Sequence, residues 1–105
     1  MIDVQEWPVE RGLTPSRLAE LGEKAVLSME GISQVSVSAV KIDGRPGRAI
    51  EWRRTLRSQP ATRGMHITVP LRQSVVTVFW YVREADWQQG RAEMERMVRT
   101  IHISR

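Results

Sequence analysis

Residues 74–83 read SVVTVFWYVR, and this stretch decides the fold. Apolar side chains occupy both of its alternate sets of positions: Val76, Val78, Trp80 and Val82 on one, and Val75, Phe79 and Tyr81 on the other. Because successive side chains of a strand point to opposite faces, both faces of this strand are apolar. A strand of this kind is predicted to lie inside a sheet that is covered on both sides. We therefore expect two helices, one on each face.

The first helix is predicted over residues 15–30. Thr14 is a candidate N-cap, and Pro15 occupies the first helical position, where its missing N–H costs nothing. An apolar stripe follows at three- and four-residue steps: Leu18, Leu21, Ala25 and Met29. Gly31 suits the left-handed residue that closes a helix.

The second helix is predicted after the apolar strand. Asp86 as N-cap, with Gln89 three residues later, resembles a capping box. Its apolar stripe is predicted to comprise Trp87, Met94, Met97, Val98 and Ile101.

Four further segments are predicted to be extended. They cover residues 2–7, 32–42, 48–57 and 65–69, with a turn at Asp43-Gly44-Arg45-Pro46-Gly47. In the second segment Val35, Val37 and Ala39 share one face. The sequence thus predicts an α+β fold with the order β-α-β-β-β-β-α, an antiparallel sheet flanked by two helices, and a single domain over residues 1–105.

The composition is that of one folded domain. The chain has 105 residues, 41% of them hydrophobic and 27% charged, which argues against disorder. The absence of cysteine excludes disulfides, a thiol nucleophile and sulfur-ligated zinc. No signal peptide is visible, and the longest nearly apolar run, residues 75–82, is too short for a membrane-spanning helix. We expect a cytoplasmic protein with no membrane association, although an exported mature form would have the same sequence features.

Four features together resemble the PsbP-like superfamily. They are the helix at 15–30, the strand leading into Asp43-Gly44-Arg45-Pro46-Gly47-Arg48, the aromatic-rich strand at 78–82, and the closing run Ile101-His102-Ile103-Ser104. The superfamily includes the photosystem II subunit PsbP, a Ran-binding nucleotide-release factor, and bacterial DcrB-like and LpqN-like proteins. Members commonly have a G-x-P-(A/G) turn and a closing I-x-x-S run.

The resemblance implies an antiparallel sheet flanked by helices and a non-enzymatic role, since members mainly bind or stabilise other proteins. This chain departs from the pattern because it begins too late to contain the whole N-terminal hairpin that is usual there. Either the fold is trimmed or a second chain covers the exposed sheet edge. No functional motif of a named member matches, so no site residue carries over.

Catalytic and metal-binding patterns are absent from the sequence. His66 and His102 titrate near neutral pH, but neither has a serine or an acid nearby in a known catalytic arrangement. Two histidines without an acidic cluster make a poor metal site. Glu51 is the one acid in an arginine-rich strand and is expected to pair with Arg53, Arg57 or a cross-strand arginine. We expect no enzyme activity, no cofactor and no metal.

The charge is uneven along the chain. The net charge is +4 overall, −3 over residues 1–30, +7 over 31–83 and zero over 84–105, and fourteen of the sixteen basic residues are arginine. Arginine favours bidentate contacts to carboxylates and phosphates, although an arginine-rich genome would give the same bias. One function class is therefore a basic domain that binds single-stranded nucleic acid through Arg53, Arg57, His66 and Arg83.

The preferred hypothesis is a non-catalytic protein-binding or adaptor domain. We expect it to be bacterial and to form a homodimer. An open sheet has edges that must be charged, covered or paired, and four tryptophans are a surplus for so short a chain. The candidate partner-binding residues are Trp7, Trp52, Arg53 and Arg57, of which Trp52 could equally belong to the core. The partner is a protein of unknown identity, and nucleic acid is the alternative.

Overall fold

The computed structural model describes residues 2–103 and contains one five-stranded sheet with a helix on each face. The elements, in chain order, are β1 (Ile2–Pro8), α1 (Pro15–Leu27), β2 (Ile32–Ile42), β3 (Arg45–Arg54), β4 (Thr62–Pro70), β5 (Ser74–Arg83), a 3₁₀ turn (Glu84–Asp86) and α2 (Trp87–Val98). The predicted order β-α-β-β-β-β-α and the α+β class are confirmed. Neither helix of the described chain is long and apolar enough to span a membrane.

The strand order is β1-β5-β4-β3-β2, and every neighbouring pair is antiparallel. The apolar stretch 74–83 forms β5, which pairs with β1 on one side and β4 on the other. It is an interior strand, as its two apolar faces predicted. The sheet edges are formed by β1 and β2.

The face covered by α2 (the α2 face) holds most of the hydrophobic core. Met65 and Trp80, which pair across β4 and β5, pack against Trp87 and Met94 of α2. The remaining core cluster continues along the same face: Ile42, Ala49, Ile67, Val69, Leu71, Val76 and Val78. Ile101 and Ile103 pack against this second cluster after α2 has ended. Ser104, which completes the closing run used in the sequence resemblance, lies outside the described residues.

The opposite face of the sheet (the α1 face) is covered by α1 in part only. Thr14 caps this helix as predicted, because its side chain accepts a hydrogen bond of 3.1 Å from the backbone N–H of Arg17. The predicted buried stripe is wrong, since Leu21 and Met29 are about 40% exposed and the buried residues are Ala19 and Glu23. The carboxylate of Glu23 is an acceptor for the Thr68 hydroxyl on β4 at 3.3 Å.

The hairpin between β2 and β3 is tighter than expected. Its loop consists of Asp43 and Gly44 alone, with φ of 52° and 74°, the signature of a two-residue type I′ turn. Pro46 lies within β3 instead of the turn. Its missing N–H is tolerated because β4 pairs with β3 only from Arg48 onward.

The edge strand β2 contains a bulge. Gln34 pairs with Trp52 and Ser36 with Glu51, so Val35 is an extra residue in the ladder. The face predicted from Val35, Val37 and Ala39 is not buried, because α1 leaves that part of the sheet open and these side chains are exposed. The buried end of β2 is on the α2 face instead, where Val40 and Ile42 join the core.

Candidate functional site

The most exposed part of the sheet is the outer edge of β2. This strand pairs only with β3 within residues 2–103, so its outer N–H and C=O groups have no ladder partner there. Val35 and Val37 are 48% and 40% exposed. Residues 32–40 contain no charged side chain and no proline, and Lys41 is the sole charge of the strand. Edge strands usually carry charged side chains or proline, because an edge without them is a template for the addition of another strand.

The outer edge of β1 differs from that of β2. Asp3 and Glu6 place two carboxylates on β1, and Pro8 ends it. Val4 and Trp7 are 46% and 50% exposed. The indole N–H of Trp7 donates to the Thr77 hydroxyl at 3.0 Å, which ties the ring to β5. Charges and proline are devices that discourage strand addition, so β1 is the better protected of the two edges.

An aromatic cluster lies on the α1 face beyond the end of the helix. Trp52 stacks on Phe79 with ring centroids 5.5 Å apart, and Phe79 lies 6.0 Å from Tyr81. These rings line an open cavity of about 340 Å³ together with Arg54 and Leu56. The sequence predicted that a helix would cover Phe79 and Tyr81. In the structure both rings are half-buried, because α1 ends at Leu27, short of them.

Ion pairs occupy the α2 face near the end of β3. Arg53 makes two hydrogen bonds to Glu84, at 2.5 and 3.0 Å. These bonds, together with the charge of Glu84, raise the pKa of Arg53, and the bond from Arg53 lowers the pKa of Glu84. Glu51, which is 6% exposed, pairs with Arg63 and lies 3.6 Å from Arg91. The predicted pairing of Glu51 with a cross-strand arginine is therefore observed.

The structure separates the four predicted partner-binding residues. Trp7 pairs with Val75 of β5, whereas Trp52 lies in register with Tyr81 of the same strand. Val75 and Tyr81 are six residues apart, so the two tryptophans are separated by about 20 Å along the strand direction, at about 3.4 Å per residue. Trp52 is 2% exposed and belongs to the aromatic cluster. Arg53 points to the opposite face, and Arg57 lies in the exposed loop after β3, which ends at Arg54.

The four residues of the nucleic-acid alternative are also spread over both faces. His66 is 6% exposed on the α1 face, whereas Arg53 is ion-paired on the α2 face. Arg57 and Arg83 are exposed, in a loop and at the end of β5 respectively. No group of three histidine, aspartate or glutamate side chains within residues 2–103 could hold a metal ion.

Two solved structures resemble this arrangement of strands and helices. The protein of unknown function PA94 from Pseudomonas aeruginosa, provisionally described as a regulator, aligns with a TM-score of 0.70 and 11% identity over 100% of this chain and 84% of that chain. Cyanobacterial PsbP (CyanoP) from Synechocystis sp. PCC 6803 aligns with a TM-score of 0.70 and 13% identity over 98% of this chain and 66% of that chain. The fold is PsbP-like. This confirms the fold that the sequence resemblance implied.

The PsbP-like similarity concerns the fold. No family model and no curated protein sequence matches this chain. The chain spans about two thirds of CyanoP, and sequence identity to both structures is below 15%. The functional residues of this PsbP-like domain must therefore be inferred from the geometry and charge of its own surface.

Sequence reasoning missed two features of that surface. The first is the exposed β2 edge, whose signal was available as a run of nine residues, 32–40, without charge or proline. The second is Glu23, a buried acid on α1. It holds α1 on the sheet through Thr68 and through Arg48, whose Nε lies 3.3 Å from its carboxylate.

Proposed function

We propose that this PsbP-like domain is a non-catalytic protein-binding domain that acts as a homodimer, with the β2 edge as its binding surface. The observation that carries the proposal is the uncharged, exposed edge of β2 at residues 32–40. An additional strand on this edge would satisfy the outer backbone groups of β2 and cover Val35 and Val37.

The occupant is a second copy of this chain, because the strand is complementary to itself. An antiparallel pair centred on Val37 places each Val37 opposite its own copy. The one charged residue, Lys41, then lies opposite Ser33, so no like charges meet across the interface. The two five-stranded sheets would join into one continuous sheet, the usual result of a two-fold contact between edge strands.

The bulge at Val35 lies near one end of the β2 edge. It increases the local twist and interrupts the ladder at one end of the edge. The charged edge of β1 at the other side of the sheet blocks continuation there. A closed dimer is favoured over a filament because the dimer uses both β2 edges, and only the charged β1 edges remain at its ends.

The test is the molar mass in solution, measured by sedimentation velocity and by light scattering over a hundredfold range of protein concentration. Val37→Lys adds a charge at the centre of the proposed interface, and Val4→Lys adds the same charge to the similarly exposed β1 edge. We expect dimers for the wild type and Val4→Lys, and monomers for Val37→Lys. Circular dichroism verifies that each variant is folded.

Two results would overturn the proposal. One is a wild-type protein that stays monomeric at every concentration. The other is a dimer that Val4→Lys dissociates and Val37→Lys does not, which would assign the contact to β1.

A second candidate function is single-stranded nucleic-acid binding, and one observation favours it. Phe79 and Tyr81 are half-exposed beside Arg54 in the 340 Å³ cavity, and aromatic rings next to arginine are a common platform for bases. Anisotropy of labelled single-stranded DNA and RNA at low and physiological salt is the test. Binding with a steep salt dependence that Phe79→Leu weakens would support this function. Absence of binding at low salt would eliminate it.

A further inference from the structure

A cavity of about 410 Å³ lies between α1 and the sheet, on the side of the molecule away from β2. Its roof is formed by Leu18, Gly22 and Val26 of α1. Its floor includes His66 of β4 and Phe79 of β5. The side chains of Asp3, Gln5 and Trp7, on β1, line the remaining side. The volume is within the range of small-molecule binding sites in proteins.

His66 is the unusual residue of this cavity. The side chain is 6% exposed, and neither ring nitrogen has a hydrogen-bond partner within residues 2–103. Buried polar groups in folded proteins are almost always hydrogen-bonded, so an imidazole with two unmet nitrogens requires an explanation. A bound molecule that hydrogen-bonds to the ring provides one.

The Nε2 side of the ring faces Gly22 of α1, and both residues line the cavity. A Cβ at position 22 would have Nε2 of His66 as its nearest neighbour, at 3.9 Å. A larger side chain on α1 at this position would therefore extend into the space above the imidazole. Gly22 keeps that space available.

The lining determines the chemistry of the ligand. No lysine or arginine lines the cavity, and Asp3 contributes a carboxylate, so an anion is disfavoured. The surface of the cavity is mainly apolar, with contributions from Trp7, Leu18 and Phe79. Burial lowers the pKa of His66, so the ring is neutral near pH 7 and offers one N–H donor and one nitrogen acceptor.

We propose that this cavity binds a small, uncharged and largely apolar molecule that has one hydrogen-bonding group, with the imidazole of His66 as the polar contact and Gly22 as the residue that keeps the site open. The site is separate from the β2 edge, so it does not depend on dimer formation.

The probe for the test is N-phenyl-1-naphthylamine, an uncharged aromatic amine with a single N–H, whose fluorescence rises in apolar surroundings. Gly22→Leu fills the cavity from its roof. Ala25→Leu is the matched control, because it adds a leucine to the same helix at an exposed position. We expect saturable one-to-one binding to the wild type and Ala25→Leu, and at least a tenfold loss of affinity in Gly22→Leu. His66→Leu should weaken binding several-fold, because the apolar wall remains and the polar contact is lost.

The location of the probe is measured independently by amide chemical shifts of the ¹⁵N-labelled wild-type protein. We expect the largest changes at α1 and at the middle of β4. Changes centred instead on Trp52 and Tyr81 would assign the probe to the aromatic cavity and overturn the proposal. Absence of saturable binding to the wild type, or equal affinity of Gly22→Leu and Ala25→Leu, would overturn it as well.

Discussion

Gly64 is a position at which a single added methyl group should destabilise the fold. It lies in β4 between Trp52 on β3 and Tyr81 on β5. A Cβ at this position would lie 2.2 Å from the backbone oxygen of Trp80 and 2.4 Å from Cζ2 of Trp52. The indole crosses the glycine to reach Phe79, so the close approach is part of the aromatic cluster.

The magnitude of Gly64→Ala follows from what must move. Trp52 is 2% exposed, and moving its indole away from the added methyl group would disturb its stacking on Phe79. Overpacking of a core costs about 1–3 kcal/mol, and opening one backbone hydrogen bond of the β4–β5 ladder costs about 1 kcal/mol. The lower chain entropy of unfolded alanine returns about 0.4–1 kcal/mol. We expect a net loss of about 1–3.6 kcal/mol in the free energy of unfolding, and a Tm lower by about 10 °C.

The assay is urea unfolding followed by circular dichroism, at one protein concentration so that self-association is constant. Gly22→Ala is the control, since its Cβ would meet nothing closer than 3.9 Å and its φ is not positive. This helical substitution should stabilise the protein by about 0.5–1 kcal/mol. The reasoning is refuted if Gly64→Ala is as stable as the wild type.

Two further predictions concern ionisation and capping. His66 has a lowered pKa in the folded state, so the unfolded chain binds its proton first as the pH falls. The stability linked to His66 is thus complete above about pH 6.5, the unfolded value, and is lost below it with a slope of at most about 1.4 kcal/mol per pH unit. Urea titrations at pH 7 and 5.5 should show this loss in the wild type and a smaller one in His66→Gln, whereas equal losses would contradict it. Thr14→Ala should lower the free energy of unfolding by about 1 kcal/mol, because the Thr14 hydroxyl accepts a hydrogen bond from the backbone N–H of Arg17. Asp86→Ala should change the free energy of unfolding by under about 0.5 kcal/mol, because Asp86 makes no side-chain capping bond. Equal effects of the two substitutions in the same urea assay would show that the second helix is capped after all.

The candidate sites show where sequence reasoning stops. Trp52 and His66 were recognised as notable residues, but which of them would be accessible depends on where α1 ends over the sheet. The helix stops at Leu27, so it covers His66 and leaves Phe79 and Tyr81 half-exposed.

The order of the elements along the chain, the interior position of β5 and the start of α1 were predictable because each depends on local chemistry. β5 is apolar on both faces wherever it is placed, so it had to become an interior strand. Thr14-Pro15 begins a helix because one hydroxyl satisfies an N–H three residues away. Asp43-Gly44 closes a hairpin because both residues accept a positive φ. These interactions involve neighbours in the chain, and the sequence alone determines them.

The burial of individual side chains was decided by the tertiary structure. The apolar stripe of α1 predicted Leu21 and Met29 inside, but the helix docks through Ala19 and Glu23, since small and hydrogen-bonding residues allow close approach to Thr68. Within β2, the exposed Val37 lies on the open part of the α1 face, whereas the buried Ile42 lies on the α2 face. Such outcomes depend on which elements meet in space, and one periodicity is compatible with several ways of packing. The sequence therefore determined the elements and their order, while the packing of the two helices on the sheet decided which residues remain available for binding.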